Sequence, residues 1–377
     1  MDFDLTWLLW GLPLAFALGW FASRLDLRQL RIENRQAPKA YFRGLNFLLN
    51  EQQDQAIDAF IEAVQNDPDT SELHFALGNL FRRRGEYERA VRVHEHLLSR
   101  ADLSRADRHR AQHALALDFL KAGLLDRAEE ALRKLEGSAY EEQALLALLA
   151  IYERSRDWPQ AREIARKLDA AGSGQFAARQ AHYLCEMATG AAPAEAEQLL
   201  QEATKVAPAA PRPRIELAAL RRRAGDARAA FELLRELADQ VPSAMALLAK
   251  PLAEAAQACG TQDQAMQLLR AHYEQSPSLD VLEGITALET DPEAARAWYV
   301  RHVQREPSLV AAAKWIAGEK LQHEEFHPEV QRALDNAVRP LTRYRCAACG
   351  FESKQYFWQC PGCQAWDSYP PRRVEEL

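Results

Sequence analysis

The chain has 377 residues, 48% of them hydrophobic, and carries a formal net charge of −7. This length is sufficient for more than one domain, and the acidic balance argues against nucleic acid as a main partner. Of the six cysteines, four belong to one paired motif, and the other two, Cys185 and Cys259, lie in apolar helical surroundings that predict buried packing residues. This thiol pattern indicates a reducing compartment for the bulk of the chain.

The amino-terminal region contains nineteen uncharged residues, 5–23, with the sequence LTWLLWGLPLAFALGWFAS. This length approaches the roughly 20 apolar residues that a helix needs to cross a bilayer. A cleaved signal peptide is the alternative, but Asp2 and Asp4 precede the apolar stretch where a signal peptide carries basic residues. The sequence therefore predicts a transmembrane anchor over residues 1–23.

A basic segment, residues 24–37, follows the predicted anchor. Basic side chains follow the apolar stretch and none precedes it: Arg24, Arg28, Arg31, Arg35 and Lys39. The positive-inside tendency places the remainder of the chain on the cytoplasmic side of the membrane, as a single-pass protein. The segment itself is interpreted as a juxtamembrane basic helix, lying either on an anionic membrane surface or free in solvent as a linker.

Residues 38–340 show a helix-pair repeat with a period near 34, the tetratricopeptide period. Small and aromatic residues recur at this spacing, as in Gly44, Phe60, Gly78, Gly85 and Ala90. Small residues let paired helices approach, and proline ends the second helix of a pair. Prolines mark such ends at Pro68, Pro208, Pro242, Pro277 and Pro307. The sequence predicts an all-α solenoid of about eight units that binds partner proteins on a concave face.

Three irregular stretches interrupt the repeat. The polar residues 99–108 are predicted to form a long surface turn, and residues 171–177 and 207–214 to form bends between groups of helices. Two arginine triplets, 82–84 and 221–223, are candidate carboxylate-binding clusters, with an ordinary solvated helix face as the alternative.

One segment matches a metalloprotease signature, H-E-x-x-H, from His323 to His327. That chemistry requires both histidines on one continuous helix, with the glutamate between them as general base. Pro328 directly follows and disfavours helical geometry at His327. We therefore interpret the match as fortuitous and lying near a helix end, and predict a non-enzymatic protein.

The last residues, 341–377, contain two C-x-x-C pairs separated by ten residues. The four thiols of this motif are Cys346, Cys349, Cys360 and Cys363. This pattern predicts one tetrahedral four-cysteine site for a structural metal ion, zinc or iron, and is less well explained by two disulfides. Gly350 and Gly362 are predicted to form the tight turns that direct backbone amides at the sulfurs.

Aromatic residues surround the cysteine motif and are predicted to form the core of the small ribbon: Tyr344, Tyr356, Phe357, Trp358, Trp366 and Tyr369. A unit this small buries too little apolar surface to fold alone, so the metal is expected to supply much of its folding energy. The short linker 339–342 and the otherwise exposed rings predict that the ribbon docks against the repeats.

The order of anchor, tetratricopeptide array and four-cysteine ribbon resembles the lipopolysaccharide assembly protein B family of Gram-negative bacteria. The resemblance covers the whole chain, and the four cysteines fall on the ligand positions of the family's rubredoxin-like terminal domain. The ten-residue gap and Gln364, where rubredoxins usually have glycine, depart from true rubredoxins. Both departures favour a structural metal over electron transfer.

The resemblance implies an adaptor that helps a membrane-anchored ATP-dependent protease degrade the deacetylase committing precursors to lipid A. It also implies contacts with an inner-membrane regulator and with lipopolysaccharide synthesis and export proteins. The residues alone lead only to a membrane-tethered scaffold with a metal-stapled ribbon and leave the oligomeric state open. A general envelope-assembly scaffold, a rubredoxin-type redox carrier and an H-E-x-x-H hydrolase are the competing hypotheses.

Overall fold

The computed structural model describes residues 15–20, 39–66, 70–319 and 324–377. The chain divides into two compact units, Met1–Arg154 and Ser155–Leu377. The predicted anchor and the basic segment lie outside the described residues, except for residues 15–20, which are helical.

The first unit consists of helices joined by short turns. Helix α1 covers residues 39–49. The next six helices are α2 (Gln53–Asn66), α3 (Ser71–Arg84), α4 (Tyr87–Ser99), α5 (Arg105–Ala122), α6 (Leu125–Arg133) and α7 (Glu141–Ser155). The predicted turn over 99–108 is shorter than expected, because Ser104 caps α5 by accepting a hydrogen bond from the Asp107 amide. Residues 105–108 therefore belong to the helix.

The second unit combines helices with the small ribbon. Its helices are α8 (Trp158–Ala170), α9 (Ala177–Thr189), α10 (Pro193–Val206), α11 (Pro211–Arg223), α12 (Ala227–Gln240), α13 (Met245–Cys259), α14 (Gln262–Gln275), α15 (Leu279–Leu288), α16 (Pro292–Arg305), α17 (Leu309–Ile316) and α18 (His327–Val338). Strands β1 (Tyr344–Arg345) and β2 (Glu352–Ser353) form an antiparallel pair in which Tyr344 is opposite Ser353.

Prolines end the second helices of several pairs as predicted. Helices α10, α12, α14 and α16 each end two residues before a proline: Pro208, Pro242, Pro277 and Pro307. The bend over 171–177 is also confirmed, since residues 171–176 separate α8 from α9. The proline-rich stretch 207–214 differs from the prediction, because α11 begins at Pro211. Proline is tolerated in a first helical turn, where its missing N–H needs no partner.

Close packing of paired helices depends on glycine at two equivalent positions of the first unit. A Cβ on Gly44 would lie 2.8 Å from the Phe60 ring, and a Cβ on Gly78 would lie 2.5 Å from the His94 ring. Both pairs are offset by 34 residues, so His94 occupies the place that Phe60 has one repeat earlier. An imidazole at this buried position needs a polar partner, and Asp118 Oδ2 lies 2.5 Å from His94 Nδ1.

The core of the second unit is built from small and branched side chains around two large rings. Phe231 and Tyr273 are fully buried among alanines and leucines of α12 to α15. Cys185 is buried on α9, and burial raises the pKa of its thiol far above the ordinary value. This thiol is a packing residue, as the apolar surroundings in the sequence predicted.

Candidate metal centre

The first cysteine pair forms a tight turn at the start of the ribbon. The Gly350 amide donates to the Cys346 carbonyl oxygen over 2.9 Å, and the Cys346 amide donates to the Phe351 carbonyl oxygen over the same distance. Gly350 has a φ of 78°. This left-handed conformation suits glycine, which has no Cβ to strain the turn. The prediction for Gly350 is confirmed.

The second cysteine pair repeats this turn with different residues. The Gln364 amide donates to the Cys360 carbonyl oxygen over 2.8 Å, and the Cys360 amide donates to the Ala365 carbonyl oxygen over 2.9 Å. Gln364, not Gly362, adopts the left-handed conformation, with a φ of 62°. The Gly362 amide nevertheless hydrogen-bonds the Cys360 sulfur, as predicted for this turn. A Cβ at Gly362 would lie 3.4 Å from the Phe351 ring.

The two turns bring the four sulfur atoms together. All four Sγ atoms lie within 4.8 Å of one another. The Cys346–Cys363 and Cys349–Cys360 sulfurs are 3.8 and 3.7 Å apart. A tetrahedral zinc with bonds of about 2.3 Å requires sulfur separations of about 3.8 Å, whereas a disulfide requires about 2.05 Å. The geometry therefore fits a metal ion, with Cys346 and Cys360 buried and the other two cysteines exposed.

The protonation of these thiols is uneven. Burial raises the pKa of Cys346, but its hydrogen bond with Ser368 and those from the Ala348 and Cys349 amides lower it to about 6. For Cys349, the Phe351 amide lowers the pKa, but burial and the neighbouring thiols raise it to about 12. Four thiolates in so small a volume repel one another, so full deprotonation requires a cation among them.

The ribbon docks on the helices of the second unit through Trp366 and Asp367. The carboxylate of Asp367 lies 2.9 Å from Nε2 of His182, which is 1% exposed on α9. Trp366 stacks on the same imidazole with ring centroids 4.8 Å apart and meets Trp158 of α8 edge to face at 6.0 Å. These contacts confirm that the ribbon packs against the repeats.

A second contact joins the ribbon to α15. The Asp280 carboxylate accepts hydrogen bonds from the Tyr344 hydroxyl over 3.1 Å and from Arg373 Nε over 3.0 Å. The Arg373 guanidinium lies 4.2 Å from the centre of the Tyr344 ring and donates to the Thr342 carbonyl oxygen over 2.7 Å. The half-buried Asp280 carboxylate thus binds residues near both ends of the ribbon, Tyr344 and Arg373.

The last residues of the chain cover the amino-terminal ends of two helices. Glu376 accepts a hydrogen bond from the Leu279 amide over 2.7 Å at the start of α15. Glu375 accepts from the Leu309 amide over 2.5 Å and the Ser308 hydroxyl over 2.7 Å at the start of α17. The first amides of a helix have no partner within it and carry partial positive charge, so these carboxylates fasten the ribbon to the array.

Comparison with known proteins agrees with this architecture. Residues 344–370 match the rubredoxin metal binding domain, and residues 43–94 match the tetratricopeptide repeat. The chain is 30% identical over 376 residues to lipopolysaccharide assembly protein B of Escherichia coli strain K12, covering 96% of this chain and 97% of that protein. The chain belongs to the lipopolysaccharide assembly protein B family.

A second family member, from Haemophilus influenzae strain Rd, is 28% identical over 388 residues, covering 97% of this chain and 98% of that protein. Among solved structures, Naa15/Naa10 bound to HypK-THB matches with a TM-score of 0.47 and 16% identity, covering 81% of this chain and 48% of that chain.

Two further predictions concern the transmembrane anchor and the H-E-x-x-H match. No helix within the described residues has the length and apolar character needed to cross a membrane. His323 of the H-E-x-x-H match lies outside the described residues. Residues Glu324–Phe326 form a short 3-10 turn, and His327 is the first residue of α18. The described part of the match therefore lies at a helix terminus, as predicted. His327 is helical, contrary to the prediction, because Pro328 is accommodated in the first turn.

The arginine triplets are largely engaged within the chain. Arg82 of α3 donates to Asp118 of α5 over 2.8 Å, and Arg84 of α3 pairs with Asp54 of α2. In the second triplet, Arg221 pairs with Glu197, and Arg222 lies 3.0 Å from Glu254. Four of the six candidate guanidinium groups thus join repeats to one another, which favours the structural interpretation over carboxylate recognition.

The docking residues Asp280, Glu375 and Glu376 were not found from the sequence. Trp366 was assigned to the core of the ribbon, but its ring packs on helices α8 and α9. Trp358 contacts Tyr356 of the ribbon and also His182 of α9. The other four predicted core rings pack beside Cys346 and Cys360: Tyr344, Tyr356, Phe357 and Tyr369.

Proposed function

We propose that this chain is a non-enzymatic, membrane-tethered adaptor that regulates lipopolysaccharide biosynthesis from the cytoplasmic side of the inner membrane. The observation that carries this proposal is the full-length match to lipopolysaccharide assembly protein B. The helical repeats support it, because arrays of helix pairs commonly bind partner proteins over extended surfaces.

The adaptor acts by promoting degradation of the deacetylase that commits precursors to lipid A. A membrane-anchored ATP-dependent protease performs the cleavage, and the adaptor brings enzyme and substrate together. An inner-membrane regulator and proteins of lipopolysaccharide synthesis and export are further partners. Residues 1–23 form the anchor, which keeps the repeats beside the membrane-bound protease.

The central experiment measures the half-life of the deacetylase in cells that contain this protein and in cells depleted of it. The proposal expects a longer half-life on depletion, because the protease loses its adaptor. Re-expression of the intact chain should restore rapid turnover. An unchanged half-life would refute the proteolytic role and leave a general envelope-assembly scaffold.

Within the ribbon, we propose that all four cysteines hold one structural zinc or iron ion: Cys346, Cys349, Cys360 and Cys363. When bound, the ion supplies positive charge that keeps the four thiolates together. The protein positions the sulfurs through the two backbone turns and excludes water from two of them. The compact fit of the sulfurs supports this assignment.

The metal assignment is tested by replacing Cys346 with serine, with Cys259→Ser as the matched control. Cys259 is a half-buried cysteine on α13, outside the ribbon. The expected result is loss of one equivalent of metal by elemental analysis and rapid proteolysis after residue 340 in Cys346→Ser only. Retention of a full equivalent of metal by that variant would contradict the assignment. Reversible bleaching of a visible iron–thiolate band would instead support the redox-carrier alternative.

A further inference from the structure

Helix α1, the first described helix of the array, has an outward face that carries large apolar side chains. Phe42 is 61% exposed and Leu49 is 80% exposed. The opposite face packs into the core through Ala40 and Gly44, which are buried. Phe42 and Leu49 are seven residues apart, about two helical turns, and therefore lie on the same side of the helix. We call Phe42, Leu49 and the exposed Lys39 the α1 outer face.

An apolar outer face is unusual at this position. The outer face of a terminal unit in a repeat array is normally polar, because no further repeat covers it. Single exposed apolar residues are common on protein surfaces, but two in register on a terminal helix indicate a surface that is covered in the working protein. The residues that precede α1 in the sequence indicate what covers this surface.

The chain leading into α1 has the character of a membrane-proximal segment. The described helical residues 15–20 expose Phe16, Leu18 and Trp20. In the sequence between that segment and α1, the basic residues are Arg24, Arg28, Arg31 and Arg35, and Lys39 begins α1. Asp26 and Glu33 are the acidic residues of this stretch, so residues 24–39 carry a net charge of +3, in contrast to −7 for the whole chain. Clustered basic residues beside an apolar segment are attracted to anionic lipid headgroups.

The short connection between the predicted anchor and α1 strengthens even a weak contact of α1 with the membrane surface. Residue 20 and residue 39 are separated by 18 residues, which span at most about 65 Å when fully extended. A helix tethered within this distance of a bilayer experiences a high effective concentration of lipid surface. Two apolar side chains and one lysine are then sufficient for contact, although they would not recruit a free protein.

We propose that the α1 outer face lies on the anionic cytoplasmic surface of the membrane, with Phe42 and Leu49 in the interfacial region and Lys39 beside the headgroups. This inference rests on the proposed anchor. It adds a second membrane contact that orients the first repeat relative to the bilayer. A second copy of the chain, a protein partner and residues 24–36 of the same chain are the competing occupants of this face.

The test uses the full chain reconstituted in nanodiscs of phosphatidylethanolamine and phosphatidylglycerol that contain a phospholipid with a photoreactive group near its glycerol. Cross-linked peptides are mapped by mass spectrometry after illumination. The proposal expects lipid adducts within residues 39–50 in addition to those in the anchor. A double variant, Phe42→Gln with Leu49→Gln, should lose these adducts by about tenfold or more, as expected when two apolar side chains leave an interface.

The matched control is Leu146→Gln, which removes an exposed leucine of α7 elsewhere in the same unit. It should leave the labelling of residues 39–50 unchanged. Adducts in the anchor without adducts in residues 39–50 would overturn the inference while leaving the anchor intact. So would protein–protein cross-links from residues 39–50 to a second copy or to residues 24–36 in place of lipid. Absence of adducts in the anchor, with the protein extracted by alkaline carbonate, would refute the tether itself.

Discussion

Glu375 is expected to be the residue whose loss most specifically releases the end of the ribbon from α17. Its carboxylate accepts hydrogen bonds from the Leu309 amide over 2.5 Å, the Val310 amide over 3.2 Å and the Ser308 hydroxyl over 2.7 Å. The Glu375→Ala substitution removes all three acceptor contacts. It leaves the first amides of α17 to be satisfied by solvent or by the Ser308 side chain alone.

The magnitude follows from the kinds of contact that are lost. A hydrogen bond to a charged group contributes about 1.5–3 kcal/mol when buried, and loss of a helix cap costs about 1 kcal/mol. The favourable position of a carboxylate at a helix start adds about 0.3–1 kcal/mol. Because Glu375 is only half-buried and water replaces part of the loss, we expect a net cost of about 2 kcal/mol, an increase of about thirtyfold in local opening.

Hydrogen exchange of the purified full-length protein measures this opening at the amides concerned. Peptides covering residues 308–312 should exchange about thirtyfold faster in Glu375→Ala. Glu375→Gln keeps a neutral acceptor and should show an intermediate rate. Glu236→Ala, which removes an exposed glutamate from the middle of α12, is the matched control and should leave these amides unchanged. Unchanged exchange at residues 308–312 in Glu375→Ala would refute the role of the tail in capping α17.

Three further changes test other parts of the structure. Burial lowers the pKa of His302 from its ordinary value of 6.5, so on acidification the unfolded state takes up a proton before the folded state does, and the free energy of unfolding should fall as the pH drops below about 6.5. Urea unfolding at several pH values should show a weaker pH dependence of this free energy for His302→Gln. An unchanged pH dependence would contradict the assignment. Gln364→Gly should remove the strain of the left-handed conformation at this position, about 1 kcal/mol, and so stabilise the folded ribbon. Metal transfer from the ribbon to a chelator should then be severalfold slower. Faster transfer would show that Gln364 is unstrained. Gly78→Ala should destabilise the protein by about 1–3 kcal/mol, because the added Cβ clashes with the His94 ring. Gly190→Ala is the control, since a Cβ added there meets no other group within 4 Å. Equal melting temperatures for the two variants would refute the close approach of Gly78 and His94.

The ribbon illustrates how far local sequence predicts a site. The spacing of the four cysteines and the position of Gly350 predicted the sulfur cluster, because both turns are closed by residues close together in the chain. The left-handed residue of the second turn is Gln364, at the position where rubredoxins usually have glycine. Glycine is favoured there but not required, since the surrounding hydrogen bonds hold a strained residue in place.

In the repeat array, too, the sequence predicted some features and missed others. The small residues and the prolines predicted pairs of helices and the ends of several of them. The aromatic position occupied by Phe60 was not recognised one repeat later, where His94 fills it. A histidine is acceptable at that buried position only because Asp118, 24 residues away, supplies a partner. No repeat pattern encodes that compensation.

The sequence by itself determined the helix pairs, the four-cysteine motif and the family, because each depends on residue types at short, fixed spacings. The tertiary structure decided how the ribbon is held. His182 meets Asp367 across 185 residues of chain, Asp280 meets Arg373 across 93, and Leu279 meets Glu376 across 97. Single charged residues of this kind carry no local pattern. Their roles emerge only when folding brings a helix start or a buried imidazole within hydrogen-bonding distance of a distant carboxylate.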